Sequence, residues 1–320
     1  ALAASTSGIH AIVGGHSHDL LTKPEIVEGP GGWKTIIGQA GSMCRYLGVM
    51  TLGVKDGALD SGVSRWTVRE LAADVPQDFK VSLILDPYQA ELEKKLGVPI
   101  GPMDQADVRK IVVRATESAV GDFIADAFRW RGNTQIGIQN GGSIRGDRVI
   151  PAGNASYRTM VELMPYGNSL VRMTLTGRDI REAMEASASA LIGAGDQYDG
   201  KLRTPTGGFQ QVSGLRVTID LRLPPALIDN DGVTRQAGRR VTSILVEEKP
   251  GAWSPLDDAK TYTVTTSTWV AGGGDKMTVL RKNARDLTDL HILDAEAVAE
   301  YVRLKGGMKP ALEGRITLKR

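Results

Sequence analysis

The chain has 320 residues, a formal net charge of +2 and a hydrophobic share of 41%. That length accommodates one large domain or two ordinary ones, and the apolar share is that of a soluble globular chain. There is no dense Lys/Arg run and no apolar stretch of membrane-spanning length, which argues against a nucleic-acid partner, a membrane-surface role and a membrane span. Nothing in the sequence fixes an oligomeric state.

Taken in chain order, the first signal is a hydrophobic strand (Ile9, Ala11, Ile12, Val13) that runs into Gly14 and Gly15 and then into His16 and His18. Neutral imidazoles at a strand end can ligate a transition metal, but a metal centre takes more donors than two. Spacing alone therefore leaves open a polar loop edge or half of a metal site. His10 and His291 have no partner nearby in sequence and read as surface or packing residues. Residues 33–55 alternate apolar and polar in two short strands that close at the turn Lys55-Asp56-Gly57. The lone cysteine, Cys44, allows no internal disulfide, and its apolar flanks fit a buried, inert thiol better than a catalytic one. Residues 1–73 thus read as a β-rich remnant whose sheet lacks helices to cover it.

Residues 86–97 predict a single helix, with Asp86 as N-cap, Pro87 at its first position and Gly97 as its stop. Its charges are plentiful and its apolar face is thin, the character of a bridging helix. Residues 74–107 are therefore assigned as a linker, with the last 213 or so residues, 108–320, as one α/β domain. In that domain Ile111–Arg114 predicts a strand, Val120–Trp130 a helix, Ile136–Ile138 a strand, Tyr157–Met164 a helix, Ser169–Thr174 a strand and Gly177–Ala190 a helix. Strands follow at Leu215–Leu221, Val241–Glu247 and Tyr262–Ser267, then a helix after Gly274 and another over Asp294–Leu304. The stretches 192–208 and 228–239 read as surface loops.

Three glycine-bearing segments sit at strand ends, where α/β folds build binding crevices. In Asn140-Gly141-Gly142-Ser143-Ile144-Arg145, Asn140 offers an amide and Arg145 a planar fork for an anion; an ordinary glycine turn with an exposed arginine has the same pattern. In Met164-Pro165-Tyr166-Gly167-Asn168, a bend projects Tyr166, either into a crevice or over the core edge. In Thr268 to Asp275, Trp269 precedes a loop of Gly272, Gly273 and Gly274, and Asp275 is placed to cap the next helix. Together, two rings could sandwich a flat heterocycle, Asn140 could read its edge, Asp275 could accept from ribose hydroxyls, and Arg114 and Arg145 could hold a phosphate.

At these residues the chain resembles the C-terminal part of the 5′-nucleotidase family. Gly14-Gly15-His16-Ser17-His18 looks like the last metal-ligand motif of the family's calcineurin-like metallophosphatase domain, and Gln39 to Gly48 like that domain's closing strands. The segments at Asn140–Arg145, Met164–Gly167, Gly208–Gly214 and Trp269–Asp275 look like the substrate motifs of the family's C-terminal domain. The fold this implies is α/β, a 5′-nucleotidase C-terminal domain preceded by a β-rich remnant of a metallophosphatase domain and a linker helix.

The resemblance implies that His16 and His18 each ligate one of two divalent metal ions, zinc or manganese, and that Tyr166 and Trp269 stack on the base. It further implies that Asn140 contacts the base edge, Asp275 the ribose, Arg145 phosphate or ribose, and Arg114 the substrate. Ser143 stands where relatives usually carry a third glycine. The family's Asp-x-His and Gly-Asn-His motifs, its bridging carboxylate and its catalytic His–Asp pair have no counterpart here. The implied reading is a nucleotide-recognition fragment of a dinuclear-metal phosphohydrolase, without catalytic residues and binding metal weakly or not at all. The resemblance places its parent in the periplasm or outside the cell, with domains that swing about residues 86–97. A thiosulfohydrolase of the same superfamily and a non-enzymatic nucleotide-binding module are the alternatives.

Overall fold

A computed structural model describes the chain except for residues 194–196, 199, 200, 203–205 and 230, with backbone alone at 197, 198, 201 and 202. It divides into two compact units, Ala1–Tyr88 and Gln89–Arg320. Among the described residues no helix is long and apolar enough to cross a membrane.

The first unit is built of strands. Strand β1 (Ala11–Val13) pairs in parallel with β3 (Lys34–Gly38), which pairs antiparallel with β2 (Glu25–Glu28). A separate hairpin joins β4 (Tyr46–Thr51) to β5 (Arg65–Glu70). Gly38 and Gly48 both lie against the Trp66 ring, where an added Cβ would come within 2.7 Å and 2.1 Å of it. Cys44 is exposed, not buried as expected. It follows Met43 in a left-handed turn (φ 53° and 60°), and both side chains are exposed.

The helix expected over residues 86–97 is longer than its sequence suggested. Helix α1 spans Phe79–Leu96, with Pro87 in its interior. Asp78, not Asp86, does the capping: its Oδ1 accepts the N–H groups of Lys80 (2.8 Å) and Val81 (3.1 Å). That satisfies two of the amides a helix start leaves open, so the helix begins upstream of the proline that seemed to open it.

The second unit opens with a hairpin strand (β6, Pro99–Met103) and a helical turn, α2 (Lys110–Val113). The strand expected at Ile111–Arg114 is thus helical. Asp147 accepts the Lys110 N–H at 2.9 Å, and Val112 and Val113 donate to the Arg109 carbonyl. These contacts override the β-branched run, because strand propensity depends on the sheet available to receive it. Helix α3 (Ala119–Gly132) is capped by Ser118 and ends at a left-handed Asn133. Then come β7 (Ile136–Asn140), α4 (Tyr157–Leu163), β8 (Ser169–Thr176) and α5 (Gly177–Ser189). Strands β9 (Gln210–Ser213), β10 (Leu215–Asp220), β11 (Val241–Lys249), β12 (Ala252–Pro255) and β13 (Thr261–Ser267) follow. Short helices α6 (Thr268–Ala271) and α7 (Thr278–Asn283) precede β14 (Arg285–Leu293), α8 (Asp294–Lys305) and β15 (Ile316–Lys319). Within the expected loop 228–239, Leu227–Ile228 and Thr234–Gln236 form a small hairpin; much of the expected loop 192–208 lies outside the described residues.

Two sheets organise this unit. The five-stranded sheet runs β9-β7-β13-β8-β14, and the four-stranded sheet β12-β11-β10-β15. One core gathers Ile138, Met173, Ile180, Met184, Val217 and Val264 between the sheets and α5. A second gathers Ile124, Phe128, Met160, Leu163, Leu170 and Val298 under α3, α4 and α8. Leu170 and Val171 fall in different cores, as the alternation of side chains along a strand requires.

A buried ionic network ties the chain's end to α3. Glu117 accepts the N–H groups of Glu313 and Ile316 at 3.0 and 2.9 Å. Arg315 pairs with Asp126 and Glu313 and donates to the carbonyls of Asp122 and Val212. Asp122 is 1% exposed, and burial beside Glu117 pushes its carboxyl up to about 9. Burial therefore favours its protonated form at neutral pH.

Candidate functional site

One edge of the five-stranded sheet collects the expected substrate residues. Strands β7 and β13 are parallel, with Gly137 opposite Thr265, so Asn140 at the end of β7 and Trp269 just past β13 leave from the same edge. Strand β8 runs against β13 with Leu170 opposite Ser267. Tyr166, just ahead of β8, therefore reaches that edge from the other direction. Asn140 pairs with Gln210 in β9, and Ser169 with Leu293 in β14, which adds Gly207–Gly208 and the start of α8. Ligands of α/β sheets bind outside strand ends of this kind.

Side-chain contacts then link these residues. Asn140 is 2% exposed, and its Nδ2 donates to Asp275 Oδ2 at 2.6 Å. Asp275 sits in left-handed backbone (φ 54°) ahead of α7, whose N-cap position is Met277. It does not cap that helix; the bond to Asn140 turns its carboxylate to the sheet edge instead. The Arg145 guanidinium lies 5.7 Å from the Tyr166 ring centroid, a cation–π distance. Trp269 stands in the helical turn α6, not in a loop, because Ser267 accepts the Val270 N–H at 3.3 Å. Both rings are about half exposed, Tyr166 at 57% and Trp269 at 53%. A buried ring would have no face to offer, and an unsupported one no fixed position. Gly274 supplies the support for the indole: a Cβ there would fall 2.4 Å from it.

Arg114 completes the cluster. Burial, with Arg145's charge adding to it, holds its guanidinium below the ordinary arginine range, while Tyr166, Asp275 and Asp147 oppose the shift. Its Nε is buried with no partner among the described residues. A partly buried cation with an idle donor beside a second arginine is poised for an anion.

Two supporting residues escaped the sequence reading. Asp294 is 1% exposed; its N–H donates to the Asn168 carbonyl at 2.8 Å, and its carboxylate faces Asn168 Nδ2 at 3.5 Å. Burial pushes its carboxyl up to about 6. Gly207 packs on Gly142, with the Gly142 N–H donating to the Gly207 carbonyl at 2.9 Å, and a Cβ on either would lie 2.8 Å from the other's Cα. Asp294 gave no signal beyond a helix cap, and Gly207 none beyond a turn.

His16 and His18 belong to the first unit, both in left-handed backbone (φ 67° and 65°). Among the described residues no three His, Cys, Asp or Glu side chains gather where one ion could be held. Two imidazoles fall short of a coordination sphere, so the residues present do not fit a dinuclear centre by themselves.

The sequence pattern described as "5'-nucleotidase, C-terminal domain" matches residues 99–282. The chain is 30% identical, over 98% of its length, to the trifunctional nucleotide phosphoesterase protein YfkN of Bacillus subtilis, of which it covers 20%. It superposes along its whole length on 61% of a Thermus thermophilus 5′-nucleotidase precursor, with a TM-score of 0.79 and 30% identity. It also matches half of a Thermus thermophilus sulfate thiohydrolase at a TM-score of 0.65, but at 19% identity that likeness concerns the fold alone. The chain thus spans a fifth of the Bacillus subtilis protein and about three fifths of the Thermus thermophilus precursor. It belongs to the 5′-nucleotidase family and carries that family's C-terminal domain.

Proposed function

We propose that this chain is the nucleotide-recognition part of a dinuclear-metal phosphohydrolase that acts on nucleoside 5′-monophosphates or related nucleotides. Tyr166 and Trp269 stack on the base, Asp275 accepts from the ribose hydroxyls, and Arg114 and Arg145 hold the phosphate. Residues 108–320 form the substrate-binding domain, 74–107 the linker and 1–73 the remnant of the metallophosphatase domain. His16 and His18 are metal ligands that need donors from outside this chain, so the chain alone does not hydrolyse its ligand. The parent protein works in the periplasm or outside the cell.

The observation that carries this reading is the shared sheet edge. Segments far apart in sequence deliver two half-exposed rings, a carboxylate and two arginines to it. A site with two exposed rings and two arginines matches an anionic nucleotide better than it matches a sulfonate without a flat heterocycle. Calorimetry with adenosine, AMP and UDP-glucose tests it. Binding by the intact chain, lost in Trp269→Ala, is the expected result. No binding by any of the three would sink it and favour the thiosulfohydrolase alternative. Turnover of AMP with added Mn²⁺ or Zn²⁺ would overturn the claim that the chain alone is inactive.

A further inference from the structure

The second unit holds a cavity of about 370 Å³ between α5, the hairpin of residues 227–236 and the start of α7. We propose that it is a binding site for a small monocarboxylate with a compact apolar body, whose carboxylate pairs with Arg178. The inference does not depend on the nucleotide reading. Strand β8 carries the chain from the Tyr166 edge of the sheet to the opposite edge, where Thr176 pairs with Thr261. Helix α5 starts there, so Arg178, Arg181 and Glu182 stand at the far end of the sheet from Asn140 and Trp269.

The cavity follows from the sequence of its walls. Residues 178, 181, 182, 185 and 186 recur at intervals of three and four, which sets them on one face of α5. Ala186, Ala226 and Val279 are buried beneath it, and Ile228 packs against the same core. Alanine at 186 and 226 leaves open a space that larger side chains would fill. The facing wall is fixed without a ligand. Lys276 Nζ donates to the Ile228 carbonyl at 2.6 Å, and Thr278 Oγ1 to the Gly232 carbonyl at 2.7 Å. Gly238 passes close over Glu185, where a Cβ would fall 2.4 Å from Oε2. A preformed, largely apolar hollow of this size with a few polar groups at its rim is the usual form of a small-molecule site.

The charges at the rim choose the ligand. Three cations line it. Arg181 is tied to Asp258 at 2.9 Å and Lys276 to the Ile228 carbonyl, while the Arg178 side chain has no partner among the described residues. Glu185 is also engaged, its two oxygens accepting the N–H groups of Arg240 and Val241 at 3.1 and 3.0 Å. One guanidinium is thus left, above an apolar floor. Its planar fork matches the two oxygens of a carboxylate, and the floor takes the apolar remainder. Glu182 and Glu185 on the same wall repel a doubly charged anion, and inorganic phosphate has nothing to place on the floor.

Methyl NMR on the whole chain tests this with three probes, cyclohexanecarboxylate, cyclohexylmethanol and inorganic phosphate. The first two are not flat, so they do not suit a ring-stacking site. Cyclohexanecarboxylate should shift the Ile228 and Val279 methyls saturably, with a dissociation constant on the order of 1 mM, as expected for so small a ligand. Cyclohexylmethanol should shift the same methyls at about ten-fold lower affinity, and phosphate should not shift them. Arg178→Gln should weaken the carboxylate by about ten-fold, to the level of the alcohol, and leave the alcohol unchanged. Ala237→Trp, at an exposed position on the cavity wall, should block both. No saturable shift with cyclohexanecarboxylate would overturn the proposal, as would equal affinity for carboxylate and alcohol, phosphate acting on the same methyls, or equal loss of both organic probes in Arg178→Gln.

Discussion

Asn168 and Asp294 hold each other by main chain and side chain at once, the Asp294 N–H on the Asn168 carbonyl at 2.8 Å and the carboxylate facing the Asn168 amide at 3.5 Å. The pair fastens the far side of the Tyr166 bend, where Gly167 takes the left-handed conformation (φ 63°) that lets the chain reverse, to the first turn of α8. Asp294→Ala should therefore loosen Tyr166 without touching a ligand. Adenosine affinity should fall several-fold, and the melting free energy by about 1–3 kcal/mol, the usual cost of breaking a buried hydrogen-bonded group. Calorimetry and thermal melts read the two effects. Unchanged affinity in a destabilised variant would mean that the bend holds its shape alone.

The buried Asp294 carboxyl also sets a pH dependence. Its value is raised from the ordinary 3.8 to about 6 by burial, so the folded state holds its proton where the unfolded chain has released it. Stability from this group is intact below the unfolded value and declines as pH rises through the folded one. Asp122, raised from 3.8 to about 9, acts in the same sense over a wider window. Asp122→Asn keeps the proton-bearing shape and removes the titration. It should stabilise the protein by about 1–3 kcal/mol near pH 8, with little effect near pH 4. Melting temperatures measured across that range would show wild type and variant converging in acid; parallel curves would contradict the assignment.

Gly274 is the third target. Its Cβ would strike the Trp269 ring at 2.4 Å, and the obstruction is a whole indole, not the end of a flexible chain. Gly274→Ala should displace the ring and cost stacking worth about 1–3 kcal/mol per base. Adenosine titrations should place this variant beside Trp269→Ala. Wild-type affinity in Gly274→Ala would show that the indole's observed position is not the one used in binding.

In the proposed site Arg114, whose Nε is buried without a partner among the described residues, holds the phosphate. Arg114→Ala should bring AMP affinity down to about that of adenosine, roughly ten-fold or more, while adenosine itself changes little. The gap between the two ligands in wild type should narrow as salt is added. Equal losses for both ligands would assign Arg114 to the architecture of α2 instead.

The alternation of strand and helix from α3 to α8 was legible because each element repeats its apolar residues at its own period, as Val120, Ile124 and Phe128 do along one face of α3. The segments that meet at the sheet edge, Asn140–Arg145, Met164–Asn168 and Thr268–Asp275, drew notice because each sets a glycine beside a polar or aromatic residue near a strand end. What was not legible was set by partners distant in sequence. Asp147 makes Lys110–Val113 helical, Asp78 caps α1 ahead of Pro87, and Asn140 draws Asp275 away from the helix it looked placed to cap. Cys44 misled because apolar neighbours mark a core only where the backbone turns them inward, and Met43 and Cys44 turn outward.

The shared edge of the five-stranded sheet has a consequence for how binding ability arises during folding. Its parallel seam joins Gly137 to Thr265, and its far flank joins Ser169 to Leu293, so no short stretch of this chain contains the crevice. A ligand seated there would need the finished domain. Binding would arise only when the last strands dock, proteolytic cuts that part those strands would abolish it, and a bound ligand would protect the entire unit against melting by an amount set by its concentration.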